Sequence, residues 1–262
     1  MFIHKLLFWK RPKTGLALSG GSARGLAHIG VLKAIEEKEI KIDFVAGTSI
    51  GALVGALYAS GLNAKEIEKL ALKMDLKRVL LLFASIPSST GLISGRNIEK
   101  YLIKLLGNIQ FHELKIPFVA LATDIKTGKV VVLNEGPVVK AVRASIAIPG
   151  IFSPIELGNH LLVDGGVTMP LPIRIVKKMG AERVIAVNVI PHSLPKEDKE
   201  WTVINIIMQT LLLLENILIE TEIKNEKPTY LIEPKVDFIG VFDFHKGKEA
   251  IEAGYKAAMS VL

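Results

Sequence analysis

Three short segments combine residue types that can act on an ester or hold an anion. Gly47-Thr48-Ser49-Ile50-Gly51 fits G-x-S-x-G between an expected strand and an expected helix. A serine so placed sits on a sharp turn with its hydroxyl exposed, and the helix that follows adds a positive dipole end beside it. Gly47 and Gly51 suit that turn because a Cβ would clash where the backbone doubles back. The bland alternative is a tightly packed turn with an incidental serine. Asp164-Gly165-Gly166 follows the apolar run Leu161-Leu162-Val163, so its carboxylate lies at a strand's carboxyl end, where open α/β sheets place their sites. Within reach of a serine hydroxyl it can serve as general base; alternatively it shapes its own Asx turn.

The third segment, Ser19-Gly20-Gly21-Ser22-Ala23-Arg24-Gly25, also lies between a strand and a helix. Its backbone N–H groups can converge on one anionic oxygen, with the helix dipole behind them. A dinucleotide fingerprint would want Gly at position 22 and an acid closing the second strand. Here Ser22 stands there, and the nearby acid, Asp43, opens that strand. The Gly-Lys-Ser/Thr ending of a P-loop is absent. The reading preferred here is an oxyanion hole for Ser49, since adjacent βα loops of a parallel sheet lie side by side. A non-catalytic module that binds phosphate or nucleotide with the Gly20–Gly25 loop is the competing function.

A third catalytic partner would have to be one of six histidines: His4, His28, His112, His160, His192 or His245. The order Ser49–Asp164–His192 or Ser49–Asp164–His245 matches an α/β-hydrolase triad, but that fold builds several strands before its serine turn, and here one precedes it. His28 falls inside the first expected helix as a helix-face residue. A Ser–Asp dyad needs fewer assumptions.

The glycine loop, the serine turn, the stretch Arg143-Ala144-Ser145-Ile146-Ala147-Ile148-Pro149-Gly150-Ile151-Phe152-Ser153-Pro154 and Asp164-Gly165-Gly166 together resemble the four blocks of the patatin-like phospholipase family, in order, across about residues 14–190. The resemblance is to compact prokaryotic members. It implies an α/β/α sandwich, ester hydrolysis on lipids by Ser49 as nucleophile and Asp164 as base, no catalytic histidine and no cofactor. It also implies an oxyanion hole from the amides of Gly20, Gly21 and Ser22, with Arg24, Gly25, Gly47, Gly51, Gly165 and Gly166 in supporting loops. Ser22 departs from the third consecutive glycine frequent in the family. Its N–H survives the change, but its backbone freedom narrows.

The elements that must position these loops follow from the hydrophobic pattern. Strands are expected at 15–19, 42–46, 117–125, 129–133, 161–163, 183–189 and 230–232, and helices at 27–38, 52–60, 64–83, 97–106, 138–146, 172–179, 201–224 and 246–261. Continuous apolar strands alternating with helices imply a three-layer α/β/α sandwich with a mostly parallel central sheet. No repeat or linker divides the chain, so residues 14–262 read as one domain behind a basic, aromatic tail at 1–13.

Composition agrees with a core-rich domain. Of 262 residues, 50% are hydrophobic and none is Cys, which excludes a disulfide framework, thiolate metal sites and a cysteine nucleophile. No His/Asp/Glu cluster has ligand spacing, so no metal is expected. The charge of +7 favours anionic partners. Lys and Arg are scattered without aromatic interleaving beyond the tail, which argues against nucleic acid. The tail (Lys5, Lys10, Arg11 and Lys13 among Phe2, Phe8 and Trp9) reads as a frayed terminus or an interfacial anchor on an anionic membrane. It lacks the unbroken apolar core of a signal peptide, and no apolar run reaches transmembrane length, which points to the cytoplasm or its membrane face. In Trp201–Ile219, Thr202, Asn205, Gln209, Asn216 and Glu220 form one narrow polar stripe. The rest of that helix must be covered by core, by lipid or by a second copy through 201–220. Candidate walls for an acyl chain are 79–83, 148–152 and 201–219. Residues 76–83 read as a flap and 85–95 as a lid.

Overall fold

The computed structural model describes residues 11–73, 95–192 and 202–262. Within them, β1 (Thr14–Leu18), β2 (Phe44–Thr48), β3 (Phe118–Asp124), β4 (Lys129–Leu133), β5 (Ile155–Leu157), β6 (His160–Asp164), β7 (Arg183–Val187) and β8 (Tyr230–Ile232) form one sheet. Its order is β5-β6-β3-β2-β1-β7-β8, with β4 also paired to β3. The β3-β2-β1-β7-β8 run is parallel, whereas β4 and β6 run antiparallel to β3. The apolar strands need cover on both faces, and the helices supply it. These are α1 (Ala27–Glu37), α2 (Ile50–Ala59), α3 (Ala64–Ala71), α4 (Arg96–Leu106), α5 (Val138–Ser145), α6 (Ile173–Lys178), α7 (Val203–Glu226) and α8 (Gly247–Val261).

Alternation along each strand splits the core in two. Leu16, Leu18, Val45, Ile185 and Val187 point into the larger cluster, with residues of α1, α2, α5 and α8. Ala17, Ala46 and Ala186 point to the other face, where small side chains let Leu171, Ile173 and Val176 and, from α7, Leu212 and Ile219 approach. The result is the expected three-layer α/β/α sandwich.

Two features of the topology set the site. The chain leaves β1 towards β2 and β3 on one side and returns to β7 on the other, so the loops after β1 and β7 diverge and open a crevice. Beyond that, β2 and β6 share one side of β3 end to end: Thr48 pairs with Leu121 and Asp164 with Ala122, while β4 occupies the opposite side. Running in opposite directions, the two strands meet head on. The residue after Thr48 is thereby delivered to Asp164.

Several boundaries differ from the pattern-based expectation. β2 runs through Gly47 and Thr48, which pair with strands on both sides or one side of the ladder, so the turn shrinks to Ser49 alone. The glycine loop closes as a 3-10 turn over Ser22–Leu26. β5 was not expected, being three partly or fully exposed residues held by a hairpin to β6. In α7 the expected polar stripe lies only partly on the solvent side, with Thr202 and Glu220 exposed. Asn205, Gln209 and Asn216 are partly buried, whereas Leu213, Leu214 and Ile217 are 53%, 51% and 61% exposed. Residues 1–10, the flap at 76–83 and all of the 85–95 lid except Gly95 lie outside the described residues, as does the expected end of the 64–83 helix.

Candidate active site

The serine turn is built by close approach. A Cβ on Gly47 would collide with the Gly51 carbonyl, and one on Gly51 would lie 2.5 Å from the carbonyl oxygens of Leu18 and Ser19. With both positions bare, the chain reverses in one residue, and Ser49 takes φ 54° and ψ −123°. That conformation costs a non-glycine residue about 1–3 kcal/mol. It is held by Ser145, whose buried Oγ accepts the Ser49 N–H at 2.9 Å and donates to the Leu121 carbonyl at 2.6 Å.

Ser49 Oγ donates to Asp164 Oδ2 at 2.6 Å, and the other oxygen, Oδ1, accepts the Gly166 N–H at 2.8 Å. One oxygen thus shapes the turn and the other meets the serine hydroxyl. The Asp164 N–H donates to Ala147 O at 2.9 Å, which ties the carboxylate to the segment after α5. Burial raises the Asp164 carboxyl to about 6, against the Ser49 and Gly166 hydrogen bonds that favour its ionised form. It is therefore mostly ionised at neutral pH and more basic than an exposed aspartate.

The glycine loop is pinned from three directions. Ser19 donates its backbone N–H to Val187 O, and its Oγ accepts the Val189 N–H at 3.0 Å. His28, fully buried and lowered to about 4 by burial, is neutral; its Nε2–H donates to Ser19 O at 2.9 Å. The Gly20 N–H donates to Pro170 O at 3.0 Å. This corrects the expectation for Gly20: its amide is already committed. The Gly21 and Ser22 amides find no acceptor among the described residues and remain available to an anion. Ser22 sits at φ 53°, the left-handed conformation that a serine in place of glycine makes costly.

The cleft of about 550 Å³, open mouth included, is lined by Ser49, Asp164, Gly21, Ser22, Arg24 and Glu215, with apolar walls from 148–149 and from Met208, Leu211 and Leu212 of α7. Two of the three expected acyl walls therefore border it, and the third, 79–83, lies outside the described residues. Gly25, Gly165 and Gly166 pack tightly behind these loops. Neither His192 nor His245 lines the cleft. Glu215, Ser145 and Pro170 were not singled out by type or spacing, because each acts only through a tertiary distance. Among the described residues, no group of three His, Cys, Asp or Glu could hold a metal ion, and no helix is long and apolar enough to cross a membrane.

The profile of the patatin-like phospholipase family matches residues 16–177, which include the glycine loop, the serine turn and Asp164. The chain belongs to that family. An NTE family protein of Mycobacterium tuberculosis is 38% identical over 177 residues, 68% of this chain and 49% of the relative. Neuropathy target esterase sws of Drosophila melanogaster is 38% identical over 181 residues, 67% of this chain and 13% of the relative. The chain thus spans about half the length, or less, of these curated relatives. Among solved structures, VipD from Legionella pneumophila superposes with a TM-score of 0.56 at 14% identity, covering 96% of this chain and 66% of that one, a likeness of fold.

Proposed function

We propose that this chain is a serine acyl hydrolase of the phospholipase A, lysophospholipase or esterase type, cleaving lipid carboxyl esters through an acyl-enzyme. The observation that carries the reading is the 2.6 Å hydrogen bond from Ser49 Oγ to Asp164 Oδ2 on the wall of an apolar cleft. Asp164 takes the serine proton as Oγ attacks the ester carbonyl, and the free Gly21 and Ser22 amides receive the developing oxyanion. A donor so placed is worth about 3–4 kcal/mol of barrier. The proton passes to the leaving alcohol, and the same carboxylate then activates water for deacylation. No cofactor is needed for any of these steps.

The lipid surface itself would be met by α7. Its inner side lines the cleft through Met208 and Leu212, while Ile206, Leu213, Leu214 and Ile217 stand in solvent. An apolar stripe beside a lipid-cleaving cleft suits contact with a membrane.

Intact-mass labelling with a fluorophosphonate tests the reading. Wild type should take one adduct, Ser49→Ala none, and Asp164→Asn should react at least about 100-fold more slowly, the scale of general-base assistance. No adduct on folded wild type in the presence of detergent micelles would refute the hydrolase and leave the anion-binding reading of the glycine loop.

A further inference from the structure

The Ser–Asp chemistry makes no use of a second carboxyl that stands in the same cleft. Glu215 reaches it from the inner side of α7 and makes no hydrogen bond or ion pair with the described residues. A Cβ built on Gly166 would collide with Glu215 Oε1, and one built on Gly20 would lie 4.0 Å from that atom. The oxygen therefore sits between the Asp164 turn and the glycine loop, on the wall of the cleft that Ser49 also lines. Leu211 and Leu212 line the wall beside it. An apolar residue at 215 would complete that wall at no desolvation cost, whereas a carboxyl there gives up hydration with no hydrogen bond in return, only the charge of Arg24 facing it.

We propose that Glu215 is a positioning residue of the Ser49–Asp164 centre, its carboxyl setting the charge against which the oxyanion must form. This rests on the hydrolase reading above and adds a residue to it. The charged groups facing Glu215 are Asp164 from β6 and Arg24 from the turn after the glycine loop; Asp237 and Asp243 act on Arg24 in turn. Burial and Asp164 raise Glu215 to about 8, and Arg24 opposes them. At neutral pH Asp164 is ionised while Glu215 keeps its proton, so two carboxyls share the pocket with one negative charge. Loss of the Glu215 proton would place a second anion beside the developing one, and the oxyanion would be destabilised by like charge. The alkaline limb of the reaction therefore belongs to Glu215, and the acid limb to Asp164.

The test is kcat/KM for 4-nitrophenyl butyrate from about pH 5 to about pH 10 in wild type and Glu215→Gln, with fluorophosphonate labelling of Ser49 alongside. Wild type should lose about tenfold per pH unit above about pH 8. Glu215→Gln, which fixes a neutral side chain of the same shape, should keep the acid limb and stay within about twofold over the alkaline range. An alkaline limb at the same midpoint in Glu215→Gln overturns the proposal. Should that variant misfold, carbon-13 carboxyl NMR of glutamate-labelled wild type reads the group directly. A resonance titrating in the alkaline range, displaced by the Ser49 adduct, supports the assignment; glutamate signals that all titrate in the ordinary carboxylate range overturn it. A wild type whose Ser49 never labels would instead sink the hydrolase reading, so the two failures are distinct.

Discussion

Ser49 is a strained residue whose strain has a use. Its φ of 54° and ψ of −123° turn the hydroxyl toward Asp164 in a single step, and Ser145 holds the backbone there. Glycine relaxes such a conformation, at an unfolded-state entropy cost of about 0.5–1 kcal/mol. Against strain of about 1–3 kcal/mol, Ser49→Gly should be more stable than Ser49→Ala by about 1 kcal/mol, a rise of roughly 2–4 °C in Tm, with both inactive. A calorimetric ranking with Ser49→Ala the more stable would show that the elbow stores no strain. The serine and aspartate were legible in the sequence because turn chemistry and strand ends are local: small residues around one hydroxyl, an acid closing an apolar run. Ser145 was read as part of a block with no role attached. Nothing local in a serine near a helix end reveals that it will catch the amide of a residue 96 positions earlier. The Gly20 amide was misjudged for the same reason, since its acceptor, Pro170, arrives from across the sheet.

At the level of elements, the parallel strands were plain because continuous apolar runs have no other stable environment than a doubly covered sheet. β5 was invisible because three residues of a mostly exposed hairpin carry no period. α7 was the instructive case. Its polar residues line up along one stripe, and an ordinary surface helix would turn that stripe to water. Here part of the stripe turns inward: Asn216 donates to Pro191 O at 3.0 Å, and further along the helix Glu222, outside the stripe, accepts the Arg174 N–H at 2.8 Å. A second apolar stripe, with Leu213, Leu214 and Ile217, is left outside. Apart from Glu215, which faces the cleft, the stretch Val203–Ile217 bears no charge, so its attachment to a membrane should depend on apolar area rather than on salt. Co-sedimentation with phosphatidylcholine vesicles should therefore persist at about 0.5 M salt, where the Debye length is only a few ångströms. It should fall at least several-fold in Leu213→Lys/Ile217→Lys with the circular dichroism spectrum retained. If the pair of lysines leaves vesicle binding intact but splits a dimer in sedimentation velocity, the stripe is a contact between copies of the chain.

Across the whole molecule, the proposed reaction would set stability and activity against each other through pH. His28 is lowered to about 4, so the stability it contributes is present above its unfolded value of 6.5 and is lost as pH falls through about 4. Asp164 is raised to about 6, with the opposite sign: protonation favours the folded state, and that contribution is full below 3.8 and lost as pH rises through about 6. Glu215 adds a loss of the same sign extending to about 8. The fold is thus under acid pressure from the histidine that pins the glycine loop and under alkaline pressure from the carboxyls of the cleft. Asp164→Asn removes one of these contributions and lets it be read alone. Its unfolding free energy relative to wild type should rise between about pH 4 and pH 6.5 and then level off, by about 2–3 kcal/mol for a shift of roughly two units. Urea titrations at about pH 4 and pH 7 measure that change directly, and any constant effect of the amide cancels in the difference. A difference independent of pH would mean that Asp164 ionises in the folded protein as an exposed aspartate does, and the desolvated base on which the acid limb depends would be gone. A rise as expected would show that the ionised base costs the fold stability at the pH where it can accept the serine proton.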